Sequence, residues 1–164
     1  FFIMPLRIHG SNGISGLDGT ASAPAVKGTD TDTGLFFGNN TASIAAGGNE
    51  RVVVDANGLD LNGNFVTNVV AMAADDIDCS AGNYFTKTIN GNTTFTISNV
   101  PTSRAFAFVL ELTHTSGTVT WPTSVKFPAA TPPPLTAGKT HLFVLVSDDS
   151  GATFRTNAVA DFDN

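Results

Sequence analysis

The sequence predicts an all-β protein in two parts. Residues 1–74 form a short, intertwined β-hairpin region, and residues 75–164 an antiparallel β-sandwich of jelly-roll-like kind. Three observations predict this. Apolar runs of about four to six residues are cut off repeatedly by Asn-Gly, Gly-Asn or Gly-Gly, which supply the positive φ that tight hairpins need. Longer runs in the second half alternate apolar and polar residues with a period of two. Helix signals are close to absent, with only "NVVAMAADD" around Met72 offering one short turn.

Composition separates the halves. Eleven of the sixteen glycines lie at or before Gly63, and eight of the thirteen phenylalanines at or after Phe85, so the front half is rich in turns and the back half in bulk. In order, "GLFFG", "TASIAAGG", "ERVVVDANG", "LDLNGN" and "FVTNVVAM" read as short strands, and the two Asn-Gly pairs of "DANGLDLNGN" as a tight meander. Strands this short bury too little to offset the about 1–2 kcal/mol per residue that ordering the backbone costs. The run Val52, Val53, Val54 and the adjacent Phe36 and Phe37 ask for cover on both faces of a sheet. These five residues are therefore expected to pack against copies of the chain. A homotrimer suits them best, because small residues allow close approach around a threefold axis.

In the back half, "YFTKTI" and "TTFTIS" read as a hairpin around the Asn90–Asn92 turn. "AFAFVLELTH" places Phe106, Phe108 and Leu110 on one face. "THLFVLVSDD" reads as a central strand buried on both sides, with "ATFRTNAV" as its hairpin partner. The four prolines of "KFPAATPPPLTAGK" place that segment in a loop outside any central strand.

Several function classes are disfavoured. A net charge of −6, with four Arg and four Lys scattered singly, does not suit nucleic acid or an anionic membrane. No apolar stretch is long enough to span a bilayer as a helix. "FFIMPLRIHG" lacks the basic start and long apolar run of a signal peptide; Met4 can serve as an initiator, which sets Phe1 to Ile3 apart. Cys79 is the only cysteine and is expected to be a small buried hydrophobe.

No motif calls for an enzyme or a cofactor. "SDDSGATF" matches the Asp-box pattern of sialidases, which is a hairpin device. Asp149 would accept turn N–H groups, Gly151 supply positive φ, and Phe154 anchor the second strand. One copy cannot build a propeller. "TDTDTG" sets Asp30 and Asp32 before Gly34 like the opening of a Ca²⁺ loop, but the remaining ligands are missing, so a bend is expected. The acidic "DDID" (Asp75, Asp76, Asp78) is expected to be a solvated turn. His9, His114 and His141 have no metal-ligand spacing, although the strands that carry the last two can be neighbours. Trp121, the only tryptophan, is expected to pack in a core or interface, with sugar stacking as the alternative. The candidate contact loops are "NGN", "THTSGT" and "AATPPPL", and Trp121, His114 and Pro133 are the candidate ligand contacts.

"GTASAPAVKGTDTDTGLFFG" followed by "ERVVVDANG" resembles the recurring segment of bacteriophage tail-fibre and tail-spike-like proteins. "CSAGNYFTKTINGNTTFTISNVP", "LELTHTSGTVTWPTSVKFP" and "GKTHLFVLVSDDSGATFR" look like the C-terminal domain of tail proteins from phages of marine cyanobacteria, and "MPLRIHGSNG" is similar to the start of short virion proteins of that group. The resemblance implies a homotrimeric β-structured appendage on the virion surface. It would act in assembly and host attachment, with other virion proteins and a host-surface glycan as partners. The chain lacks the anchoring domain and long shaft of a full fibre. A short tip, a head fibre or a capsid decoration protein fits its length equally, and a glycan depolymerase stands behind these. No site residue of the family is carried over.

Overall fold

The computed structural model describes residues 17–163, together with the backbone of the paired strands β1 (Ile8–His9) and β2 (Gly13–Ile14). Phe1 to Ile3, Met4 and the side chain of His9 lie outside the described residues. The described chain is all-β and divides into two units, Phe1–Phe65 and Val66–Asn164.

The first unit is an antiparallel meander of β3 (Val26–Lys27), β4 (Gly34–Gly38), β5 (Thr41–Ala46), β6 (Asn49–Asp55) and β7 (Gly58–Leu61), each paired with the next. The turns use the chemistry the sequence announces. Gly47 and Gly48 both take positive φ between β5 and β6. Between β6 and β7, the Asp55 carboxylate accepts the N–H groups of Asn57 at 2.7 Å and Gly58 at 3.2 Å. All five strands pair within one chain, with β3 and β7 as the edges of the sheet.

The second unit has two layers. One is a six-stranded sheet in the order β15 (Val125–Lys126), β17 (Phe154–Phe162), β16 (Lys139–Ser147), β13 (Phe106–Ser116), β10 (Tyr84–Asn90) and β8 (Val69–Ala71). The other consists of two short parallel pairs, β9 (Asp76–Asp78) with β12 (Thr96–Ser98), and β11 (Thr93–Thr94) with β14 (Val119–Thr120). Between them Phe85, Phe108, Leu110, Phe143 and Phe154 from the large sheet meet Ile77 and Phe95 from the small one.

Here the structure corrects two expectations. Tyr84–Ile89 and the "TTFTIS" segment do not form a hairpin. Strand β10 instead runs parallel to both β13 and β8, and the chain turns at Asn90–Asn92 to cross to the other layer. The chain thus winds through successive coils and stacks like strand on like strand. Only β13, β16 and β17 are antiparallel neighbours. Residues 69–71 are a strand of this unit, with no helical turn beside Met72, so the unit begins before residue 75.

The coils meet closely at their corners. Gly117 lies against Gly91 of the preceding coil, and the Asn92 side chain accepts both the N–H and the hydroxyl of Thr118, each at 3.0 Å. On the facing layer Asp76 accepts the Thr96 and Ser98 hydroxyls, each at 2.5 Å. Asp75 pairs with Lys87 at 2.8 Å. The acidic run is therefore wired into the coil stack and is not a free turn.

The β16–β17 hairpin carries the Asp-box geometry. Asp149 accepts the Ser147 hydroxyl at 2.9 Å and the Thr153 N–H at 2.8 Å, Gly151 takes φ +85°, and Phe154 is buried. The Thr153 N–H, then the Ser147 hydroxyl, hold the Asp149 carboxyl below its ordinary value; the Ser80 hydroxyl and Asn99 do the same for Asp78. A carboxyl lowered in the folded state contributes stability that is complete above its unfolded value of about 3.8 and is lost as the pH falls through the lower folded value. The urea midpoint of the second unit is therefore expected to hold near about pH 6 and to drop by about pH 3, with a shallower drop in Asp149→Asn. Parallel profiles for that variant and the parent would remove Asp149 from the explanation.

Candidate functional site

Register places one apolar row straight across the first sheet. Val26 pairs with Leu35, Leu35 with Ile44, Ile44 with Val52, and Val52 with Leu61. A second row on the same face runs Phe37, Ala42, Val54, Leu59. Paired residues point to the same side and residues two apart share it, so this face carries no charged side chain at its paired positions. It is open to solvent. Ile44 is 43% exposed, Leu59 65%, and Val26, Leu35, Phe37, Val54 and Leu61 are exposed as well.

The opposite face holds Phe36, Ser43 and Val53 in register. There the preceding loop closes down; a Cβ on Gly19 would lie 3.0 Å from that of Phe36, and Ser43 and Ala45 are buried. The five residues expected to pack between copies are thus divided by the pleat. Phe37, Val52 and Val54 belong to the open face, and Phe36 and Val53 to the partly covered one. None of the five is buried in the chain. The sequence reading missed Val26, Leu35, Ile44, Leu59 and Leu61 as members of the open face. For Val26, Ile44, Leu59 and Leu61 the signal was available, since each has polar or small residues on both sides, whereas Leu35 runs straight into Phe36 and Phe37 and its face is set only by register.

Seven large side chains exposing apolar surface on one face amount to roughly 600 Å², at the top of the range for the largest patch of an ordinary monomer. Covering that surface is favourable at about 25 cal/mol per Å² before the costs of association.

The other candidate residues fall apart. Asp30 and Asp32 make an exposed bend in which the Asp32 N–H donates to Asp30 at 3.4 Å and the Gly48 N–H to the Asp32 carbonyl at 3.0 Å. The neighbouring Asp30 carboxylate raises the pKa of Asp32, while the Thr33 hydroxyl leads in lowering that of Asp30. Among the described residues no group of three or more His, Cys, Asp or Glu could hold a metal ion.

His114 points into the second unit, 6% exposed, with its ring 6.4 Å from that of the fully buried His141. Its Nε2 donates to the Gly117 carbonyl at 2.9 Å. Position 114 continues the inward parity of Phe108, Leu110 and Leu112, so this side chain sits in the core and not on a contact loop. Cys79 is buried, and burial pushes its thiol up to about 12, with Asp78 and Asp76 adding to the effect; it is an unreactive hydrophobe.

Trp121 is half-buried. Its ring meets those of Phe143 at 4.7 Å, Phe95 at 5.4 Å and Phe127 at 5.5 Å. It also borders an open hollow of about 510 Å³ together with Pro122, Lys126 and Pro132. Pro133, half-buried in the neighbouring loop, does not line it. Three aromatic contacts make packing the main duty of the indole. Trp121→Ala is therefore expected to lower stability by about 2–4 kcal/mol, read from denaturant unfolding. A loss below about 1 kcal/mol would leave the indole free for a ligand.

No protein-family model, no curated protein and no solved structure matches this chain. Among the described residues no helix is long and apolar enough to cross a membrane.

Proposed function

We propose that the chain is a structural protein of a bacteriophage virion surface, a tail-fibre or tail-tip-like appendage that assembles with its own copies as a homotrimer and presents rigid loops to a host surface. One observation carries the reading: the sheet of the first unit leaves uncovered an apolar face whose paired positions hold no charge, which asks for cover by another subunit. Further copies are its natural cover, because three such faces turned toward a common threefold axis oppose apolar side chains and no charges at their paired positions. The corner loops at Gly91 and Gly117, stacked on one another, provide a rigid platform of the kind adhesion needs.

The function is tested by labelling purified phage particles with an antibody against the chain. Label at the tail in a few copies supports the appendage. Label spread over the head in many copies replaces it with shell decoration, and particles without the chain contradict both.

A further inference from the structure

Strand β16 is paired on both edges, and its sequence asks for cover on both faces. The structure provides cover on one. Leu142, Val144 and Val146 point away from the core, with Val144 50% exposed at the centre of the sheet. In register, Val144 lies between Val109 of β13 and Asn157 of β17, and Leu142 between Glu111 and Val159. An open hollow of about 600 Å³ spreads over this field, with Tyr84 and Arg155 at its border.

Two opposite charges frame the field. Glu111 accepts the Tyr84 hydroxyl at 2.5 Å. Arg155, paired with Asp148 at 2.9 Å, stands opposite Val146. Seen from Val144, Arg155 is on the adjacent strand toward one end of the sheet, and Glu111 is on the adjacent strand on the other side, toward the other end. They occupy opposite corners around the valine. A twofold axis passing between two such faces at Val144, perpendicular to the line from Arg155 to Glu111, would set valine on valine and each Arg155 over the Glu111 of the facing copy. Apart from Lys126 at the far edge, the paired positions of this face hold no other charge, whereas the chain as a whole carries −6. Copies meeting here are spared the like-charge repulsion that the acidic parts of the surface would impose.

We propose that the outer face of the six-stranded sheet is an interface between two copies of the chain related by this twofold axis. Its exposed apolar side chains offer roughly 500 Å² per copy, the larger part of the about 800 Å² per partner that a stable interface uses. This surface is separate from the front sheet, and the contact would join one front-sheet assembly to the next.

Sedimentation of the full-length chain tests it. Val144→Arg places two guanidinium groups on the axis and is expected to lower the assembly mass about twofold while leaving the circular dichroism unchanged. Glu111→Arg alone and Arg155→Glu alone should each do the same, because each sets like charges together. Mixing these two variants should restore the larger mass, since every altered residue then faces its opposite. Ile44→Arg, in the front sheet, is the separate arm, expected to break the front contact and leave the twofold pair. Unchanged mass in Val144→Arg, or a mixture that stays small, overturns this interface, whether the face is bare or takes an unrelated protein. The front-sheet reading would then stand or fall by its own variant.

Discussion

Gly117→Ala is expected to unfold the second unit under conditions where the parent is fully folded. Gly117 takes φ +92°, a region that costs an L-residue about 1–2 kcal/mol. Its added Cβ would lie 2.1 Å from the Gly91 carbonyl carbon and 2.6 Å from the Asn92 nitrogen, both backbone atoms with no rotamer to turn aside. Relief requires the stacked corners to part. That strains the Thr93 N–H bond to the Thr118 carbonyl at 2.9 Å and the His114 bond that satisfies one buried ring nitrogen. Overpacking adds about 1–3 kcal/mol, so the total of about 2–5 kcal/mol is a large share of the about 5–15 kcal/mol that keeps a domain folded. Calorimetry should show a Tm lower by on the order of 15 °C or more. Gly138 is the control, because its φ is +80° and nothing lies within 4 Å of an added Cβ. Gly138→Ala should cost only the conformational part. Equal losses in the two variants would show that the corners do not stack as described.

Ile44→Arg is expected to dissolve the front assembly and leave the second unit intact. Ile44 sits mid-row between Leu35 and Val52 on a face with no charge at its paired positions. Placing a guanidinium in that contact, unpaired and cut off from water, should weaken association by at least about a hundredfold. Ile44→Val, which keeps the surface apolar, should leave association nearly unchanged. The readout is scattering mass against concentration, with thermal unfolding of the second unit as the folding check. An arginine variant that assembles like the parent would mean that the face is not shared between copies.

Much of the fold was legible because it rests on local chemistry. The Gly47–Gly48 and Asp55–Gly58 turns, the Asp-box hairpin and the inward parity of Phe106, Phe108 and Leu110 need only nearest neighbours along the chain. Coil stacking was not legible in the same way. A strand buried on one face alternates identically whether its partner runs parallel or antiparallel, so "YFTKTINGNTTF" reads as half a hairpin. The telling signal was recurrence. "NGNTTF" and "SGTVTW" superpose Gly91 on Gly117, Thr94 on Thr120 and Phe95 on Trp121, which is how the coils lie on each other. His114 was misplaced for a related reason: it was read with the loop that follows it, although its strand parity already sent it inward. The apolar density of β16 predicts a strand buried on both faces, whereas the chain buries only one and leaves Val144 and Val146 exposed on the other.

The proposed cover of the apolar face around Ile44 by other copies has a simple physical consequence for mass and backbone protection. Light-scattering mass of the parent chain, combined with hydrogen exchange of the amides in residues 34–61, tests it most directly. The expected mass is a multiple of the 17.0 kDa chain mass, with exchange slow in the assembly and faster as dilution releases the chain. A particle of 17.0 kDa at every concentration, with those amides equally protected, would contradict it.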